Sequence, residues 1–186
     1  KEHTQLNIVR IGTSGSLQND IPVDSFVLAK YGLGFDGMLH SYDCEHVLEA
    51  DFEDLFIKHT NWSPRKARPY VVKNSEELEK KLSSDKVFVG VTATAGGFYG
   101  PQGRVLRIGL QDDELNSKID NFEYNGVRIT NLEMETSAIY GLSKLLGHNA
   151  CSMNAIIANR ANGTFSEDPY KPVDELILYT LNKLCS

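Results

Sequence analysis

Two stretches limit what this chain can fold into. Lys86 to Ala95, KVFVGVTATA, and Ala150 to Ala158, ACSMNAIIA, are near-continuous apolar runs. A strand with one wet face alternates apolar and polar residues, whereas an unbroken apolar run is a strand covered on both faces. Both segments therefore predict strands inside a sheet that carries other structure above and below.

The remaining pattern supplies that cover. Leu6 to Gly12, LNIVRIG, reads as a strand followed by a TSGS turn, and Val23 to Ala29 reads as a second strand. Leu48, Phe52, Leu55 and Phe56 recur at helical spacing, predicting a helix from Cys44 to His59. After a loop, PYVV is a short strand, and Ser75 opens a helix reaching Leu82. Asn125 to Thr130 is a strand entered through an Asn-Gly turn. EMETSAIYGLSKLLG is the clearest helix, with Ala138, Ile139, Leu142, Leu145 and Leu146 as its apolar stripe and Gly147 at its end. A last amphipathic helix opens at Pro172 and turns Val173, Leu176, Ile177, Leu181 and Leu184 inward. Strands and helices alternate without a repeat or a linker-like stretch. That predicts one α/β domain over residues 1–186, layered α/β/α.

Composition narrows the function classes. The net charge of −6 argues against a general nucleic-acid or membrane-surface binder, because a phosphate backbone would meet a like-charged surface. Cys44, Cys151 and Cys185 are odd in number and scattered, which fits reduced thiols and a cytoplasmic location rather than a disulfide framework. No run approaches the ~20 apolar residues of a membrane span. No metal-ligand spacing or Gly-x-Ser-x-Gly elbow is present, so neither a metal nor another cofactor is expected.

Four constellations can carry chemistry. In RIGTSG, Arg10 offers a permanent cationic fork, Thr13 a hydroxyl and Gly12 backbone freedom, a combination suited to an anion; the alternative is a strand-end turn with an exposed arginine. In TATAGGFYGPQGR, Gln102 has a donor and an acceptor while Arg104 has donors only. The pair can meet a lactam edge while Phe98 or Tyr99 stacks on a flat ring; the alternative is a Gly/Pro surface loop. In NLEMET, Glu133 is explained by the helix dipole alone, but Glu135 falls on the apolar stripe, where a carboxylate needs a partner or a ligand. In IIANR, Arg160 arrives at the end of a buried strand, where α/β folds collect their ligands; the alternative is a charged residue simply leaving the core.

Taken in order, RIGTSGSLQNDIPVDSFVLA, TATAGGFYGPQGR, TNLEMETSAIYGL and IIANR resemble the nucleoside phosphorylase family, which includes uridine phosphorylases and hexameric purine nucleoside phosphorylases. The Gln-x-Arg loop together with Glu-Met-Glu resembles its uridine branch. The resemblance implies a mixed central sheet and reversible phosphorolysis of uridine to uracil and ribose 1-phosphate. It implies phosphate contacts from Arg10, Gly12 and Thr13, and a base pocket of Phe98, Gln102, Arg104 and Arg160. Glu133, Met134 and Glu135 are implied as ribose binders, inorganic phosphate as co-substrate, and a homo-oligomer, dimer or hexamer. Purine-specific relatives carry an aspartate near the position of Asn159, which is absent here. The family also carries, upstream of Leu6, a glycine-rich loop ending in an arginine, and a histidine and an arginine that reach a neighbouring subunit's site. The N-terminal third is thus expected to lie outside these residues, and they are expected to show little phosphorolysis alone. A purine phosphorylase, a nucleosidase and a non-catalytic nucleoside-binding protein are the competing readings.

Overall fold

In the computed structural model the described residues run from 3 to 185. The strands are β1 (Asn7–Ser16), β2 (Phe26–Gly34), β3 (Tyr70–Lys73), β4 (Val87–Thr94), β5 (Glu123–Tyr124), β6 (Val127–Glu133), β7 (Asn149–Asn159) and β8 (Thr164–Phe165). The helices are α1 (Ala50–Thr60), α2 (Glu76–Leu82), α3 (Leu115–Asp120), α4 (Thr136–Leu145) and α5 (Tyr170–Cys185).

The expected mixed sheet clad by helices is what forms. Its strand order is β3-β2-β4-β6-β1-β7-β8, with β5 paired to β6 and an additional pairing of β2 with β7. One edge of β2 runs parallel to β4, while Phe26–Leu28 pair antiparallel with β7 and Tyr31–Gly34 with β3. The strands β2, β4, β6, β1 and β7 thus close on themselves. The apolar runs occupy this closed part, and seven consecutive residues of β7 are buried.

Helices cover the ring in separate clusters. Phe52 and Phe56 of α1 and Leu115 and Ile119 of α3 pack with Leu33, Val91 and Ile129. Leu78 and Leu82 of α2 meet Leu176 of α5 over Leu28, Cys151 and Met153. Tyr140 of α4 lies against Ala29, Tyr70 and Val72. Among the described residues, no helix is long and apolar enough to cross a membrane.

Several boundaries differ from the expected ones. TSGS is not a turn: Thr13–Ser16 stay paired with β7 through Asn159, with a register shift between Ser14 and Gly15. A bulged strand end tolerates the small polar residues that otherwise signal a turn. The second strand begins at Phe26, not Val23, because Asp24 adopts a left-handed φ of 65° that interrupts extended chain. The first helix begins at Ala50 after a short turn at Glu45–Val47, and Leu55 is exposed. The buried side of α5 is Pro172, Leu176 and Thr180, leaving Leu181 outside. Ser75 does cap α2, its Oγ accepting from the Leu78 N–H at 3.4 Å.

The contact that seats α4 is the approach of its first turn to β2. A Cβ added at Gly32 would lie 2.8 Å from Ser137 Cα, a backbone atom that cannot swing away. Gly32→Ala is therefore expected to destabilise the protein by about 1–3 kcal/mol through overpacking, read as a lower thermal midpoint. An unchanged midpoint would show that α4 can shift at no cost.

Candidate active site

The site grows from the junction of β6 and α4. The expectation that Glu133 to Glu135 lie within the helix is corrected here. Glu133 is the last residue of β6, Glu135 occupies the N-cap position, and α4 starts at Thr136. This exchanges the two acids: Glu133 is 4% exposed and Glu135 is exposed. The apolar stripe is corrected with it, because Thr136, Ser137, Tyr140, Gly141 and Ser143 are the buried positions of α4 and Leu146 is outside. Apolar periodicity located the helix, but the face packed tightest on the strands is small and polar.

A buried carboxylate has to be fully bonded, and Glu133 is. It accepts from the N–H of Glu135 at 2.9 Å, from the N–H of Thr136 at 3.0 and 3.1 Å, and from Thr94 Oγ1 at 2.7 Å. Thr94 Oγ1 in turn accepts from the Ser137 N–H at 3.0 Å. The free N–H groups at the start of α4 are thereby satisfied from two strand ends, with the negative charge at the positive end of the helix dipole.

Arg10 reaches the same carboxylate from β1. Its Nη2 lies 3.2 Å from Glu133 and 2.5 Å from Glu135, and its Nη1 donates to Asn154 Oδ1 at 2.9 Å. Gly12 makes room for it, since a Cβ there would fall 2.4 Å from Arg10 Nη1. One guanidinium between two carboxylates leaves this group with one net negative charge. Thr13 is exposed and follows the alternation of Val9 and Ile11, which pack beneath α5, rather than that of Arg10. No side-chain hydrogen bond joins it to the Arg10 group among the described residues. Met134 is exposed between the two acids.

A second group forms around the loop after β4. Gln102 is 3% exposed, held by a tight turn in which its N–H and that of Arg104 both donate to the Tyr99 carbonyl. Arg104 Nη1 donates to the Phe98 carbonyl at 2.6 Å and to Gln102 Oε1, and its guanidinium lies 3.9 Å over the Phe98 ring. Arg160 Nη2 donates to the Gln102 carbonyl at 2.6 Å. Burial lowers the pKa of Arg160, and the charge of Arg104 lowers it further. The structure thus assembles Phe98, Gln102, Arg104 and Arg160, with Arg104 on the side-chain oxygen of Gln102 and Arg160 on its backbone carbonyl. The groups border the same strand end. Leu132, next to Glu133, pairs with Gly15, and a Cβ on Gly15 would lie 3.3 Å from the stem of Arg160.

Three residues of these groups were not singled out from sequence: Thr94, Asn154 and Asp120. The first two carry a usable signal, because each is a polar residue interrupting an apolar run that the fold buries completely, both at 0% exposure. Asp120 closes the short helix α3. Its Oδ1 is buried without a hydrogen-bond partner, as is Arg160 Nη1.

Comparisons with known proteins bear on this arrangement. The model of a family described as the phosphorylase superfamily matches residues 1–177. The chain is 25% identical over 160 residues to a uridine phosphorylase of Thermococcus kodakarensis, covering 86% of this chain and 50% of that protein. It is 25% identical over 170 residues to a uridine phosphorylase of Haemophilus influenzae, covering 86% of this chain and 58% of that protein. The chain spans about half the length of the curated relatives it matches. Among solved structures, a Trypanosoma brucei nucleoside phosphorylase with uridine phosphorylase activity superposes with a TM-score of 0.77 at 24% identity, over 95% of this chain and 63% of that one. A uridine phosphorylase of Phytophthora capsici gives 0.69 at 20% identity, over 100% of this chain and 67% of that one. At those identities the likeness is one of fold.

The electrostatics of the second group can be tested directly. Burial pushes Asp120 up to about 6, with the charge of Arg160 opposing the rise. A carboxyl whose pKa is higher folded than unfolded binds its proton more tightly in the native state. Stability is therefore lost as pH rises from the unfolded value near 4 through the folded one. Asp120→Asn is expected to raise the thermal midpoint at pH 7.5 and to leave it unchanged at pH 4. A variant less stable than wild type at pH 7.5 would mean that Asp120 is a net stabilising partner of Arg160.

Proposed function

The chain belongs to the phosphorylase superfamily, and on that premise we propose that the protein carrying it is a pentosyltransferase that cleaves uridine reversibly with phosphate, giving uracil and ribose 1-phosphate. One observation carries the reading: the buried Gln102, whose side-chain amide oxygen accepts from Arg104 while its backbone carbonyl accepts from Arg160, with the Arg104 guanidinium over the Phe98 ring. A phosphate cradle needs donors alone. An amide beside an arginine offers an acceptor for a ring N–H and donors for the carbonyls on either side of it, which is the pattern of a uracil edge. The curated relatives named as uridine phosphorylases support the same reading.

In the proposed reaction a phosphate oxygen bonds to C1′ as the C1′–N1 bond breaks. The sugar becomes cationic on the way, and the electron pair leaves with the base. Arg104 and Gln102 direct donors at the carbonyls where that charge collects, so stabilisation appears in the transition state rather than in the bound substrate. Glu135 takes the ribose hydroxyls, with Glu133 and Met134 lining the same side. Glu135 now holds Arg10 at 2.5 Å, so engaging the sugar loosens that ion pair and turns Arg10 toward phosphate, with Gly12 and Thr13 in the same segment. Nucleoside and phosphate are thereby coupled through one contact. The enzyme is proposed to need no cofactor beyond its co-substrate phosphate and to work in the cytoplasm as a homo-oligomer.

The deciding experiment offers the full-length protein uridine and inosine, each with and without phosphate. Uracil release that requires phosphate is expected. Base release without phosphate would indicate a nucleosidase, preference for inosine would indicate the purine branch, and binding without turnover would indicate a non-catalytic nucleoside-binding protein. Gln102→Ala is expected to lower kcat/KM for uridine about 100-fold, the scale of losing a charge-stabilising donor, while the phosphate KM stays within about threefold. A larger effect on phosphate than on uridine would mean that the two loops have been assigned the wrong way round.

A further inference from the structure

Asn154 is a polar residue where the fold demands apolar ones. It sits in the middle of β7 with 0% exposure, opposite Gly12 of β1 and Val27 of β2 in register. An amide left unbonded there would cost about 1–3 kcal/mol. Its bonds go to Arg10 Nη1 at 2.9 Å and to Ser152 Oγ at 3.5 Å. Ser152 Oγ shares a hydrogen bond of 2.8 Å with Thr136 Oγ1, and the Thr136 N–H is held by Glu133, which faces Arg10 Nη2. Arg10, Asn154, Ser152, Thr136 and Glu133 therefore form a closed polar circuit through the buried centre of the sheet.

The chemistry of each contact with Arg10 differs. Glu133 and Glu135 hold the guanidinium by charge, and each cancels a positive charge that an incoming anion would need. The Asn154 carbonyl is a neutral acceptor, so it fixes the guanidinium plane without reducing its charge. It acts at Nη1, while both carboxylates act at Nη2. When Glu135 turns to a sugar, the remaining bonds decide where the fork points. With Asn154 in place, Nη1 stays anchored in the sheet and the freed Nη2 hydrogen faces outward. Without it, the whole guanidinium follows the buried Glu133. Gly12 contributes passively, since any side chain there would occupy the space of Nη1.

We infer that Asn154 is a positioning residue for the phosphate co-substrate, holding Arg10 in a charged, forward-facing orientation through a neutral hydrogen bond. This rests on the phosphorolysis reading, and it adds a residue of β7 to the phosphate contacts expected from RIGTSG.

The test uses the full-length protein with Asn154→Ala and Asn154→Asp, steady-state kinetics on uridine and phosphate, and thermal melts. Asn154→Ala is expected to raise the phosphate KM about tenfold while the uridine KM stays within about twofold. Asn154→Asp keeps the shape of the side chain but makes it a third carboxylate around one guanidinium, so its phosphate KM is expected to rise at least as far. If Asn154 only fills and satisfies the core, the isosteric Asp variant keeps the wild-type phosphate KM and Ala lowers the thermal midpoint alone; that outcome overturns the inference. Should Asn154→Ala fail to fold, the Asp variant decides. Wild-type protein that turns over nothing overturns the phosphorolysis reading instead. Calorimetric titration with inorganic phosphate then tests the position separately: binding about tenfold weaker in the variants upholds it, and equal or absent binding in all three proteins overturns it.

Discussion

The arrangement depends on one buried carboxylate. Glu133 is the contact shared by β6, β4, β1 and the start of α4 in the groups described, and it accepts from the N–H groups of Glu135 and Thr136, from Thr94 Oγ1 and from Arg10. Removing one member of such a set leaves a buried charge without compensation, at a cost on the order of 3–5 kcal/mol. The set is therefore kept or lost as a unit. This explains why Thr94, Thr136, Ser137 and Ser152 are all buried in a region where packing alone would favour aliphatic residues. It also divides the labour between two acids separated by one residue. Glu133 is buried and bonded to three elements, while Glu135, on the exposed side, is the acid proposed to exchange Arg10 for a ligand.

A gradient of charge follows from this division. Around Arg10 the two carboxylates leave a net negative charge. Around Gln102 the two arginines are balanced only in part by Asp120, whose carboxyl pKa burial pushes up to about 6. Phosphorolysis of a nucleoside, as proposed, separates charge along the same line, positive on the sugar and negative on the base. Fixed charges placed in this order need no rearrangement as the bond breaks, and such preorganisation is effective because it is in place before the transition state forms.

What the sequence disclosed, and what it withheld, follows the same physics. The buried strands were legible because burial on two faces removes polar residues from whole runs, and Arg160 at the end of one of them followed directly. The Glu-Met-Glu segment differs from its sequence pattern in detail. Helical periodicity runs backwards past the true start of α4, over the last residue of β6 and the N-cap, which reverses inside and outside for Glu133 and Glu135. The difference arises because α4 is seated by Gly32 and the hydroxyls of Thr136 and Ser137, close contacts that hydropathy does not register. Asn154 escaped for the related reason that a single amide in an apolar run looks like tolerated noise. Its meaning depends on a partner 144 positions away in the chain.

The glycine-rich loop shows why composition by itself misleads about ligands. Gly103 adopts a φ of 71°, and a Cβ there would collide with the Asn116 side chain at 2.1 Å, so glycine is required by the loop's own packing. That packing buries the Gln102 amide and brings Arg104 over the Phe98 ring. Glycines that cradle phosphate do so by presenting several free N–H groups, usually at the start of a helix. Here the N–H groups of Gln102, Gly103 and Arg104 are already donated to the carbonyls of Tyr99 and Gly100. These three donors are spent on the turn itself, so at Gln102 and Arg104 it is the side chains that are left to read a ligand. A ligand read by side chains that include an amide is distinguished by the order of its donors and acceptors, which is how a planar base differs from an oxyanion.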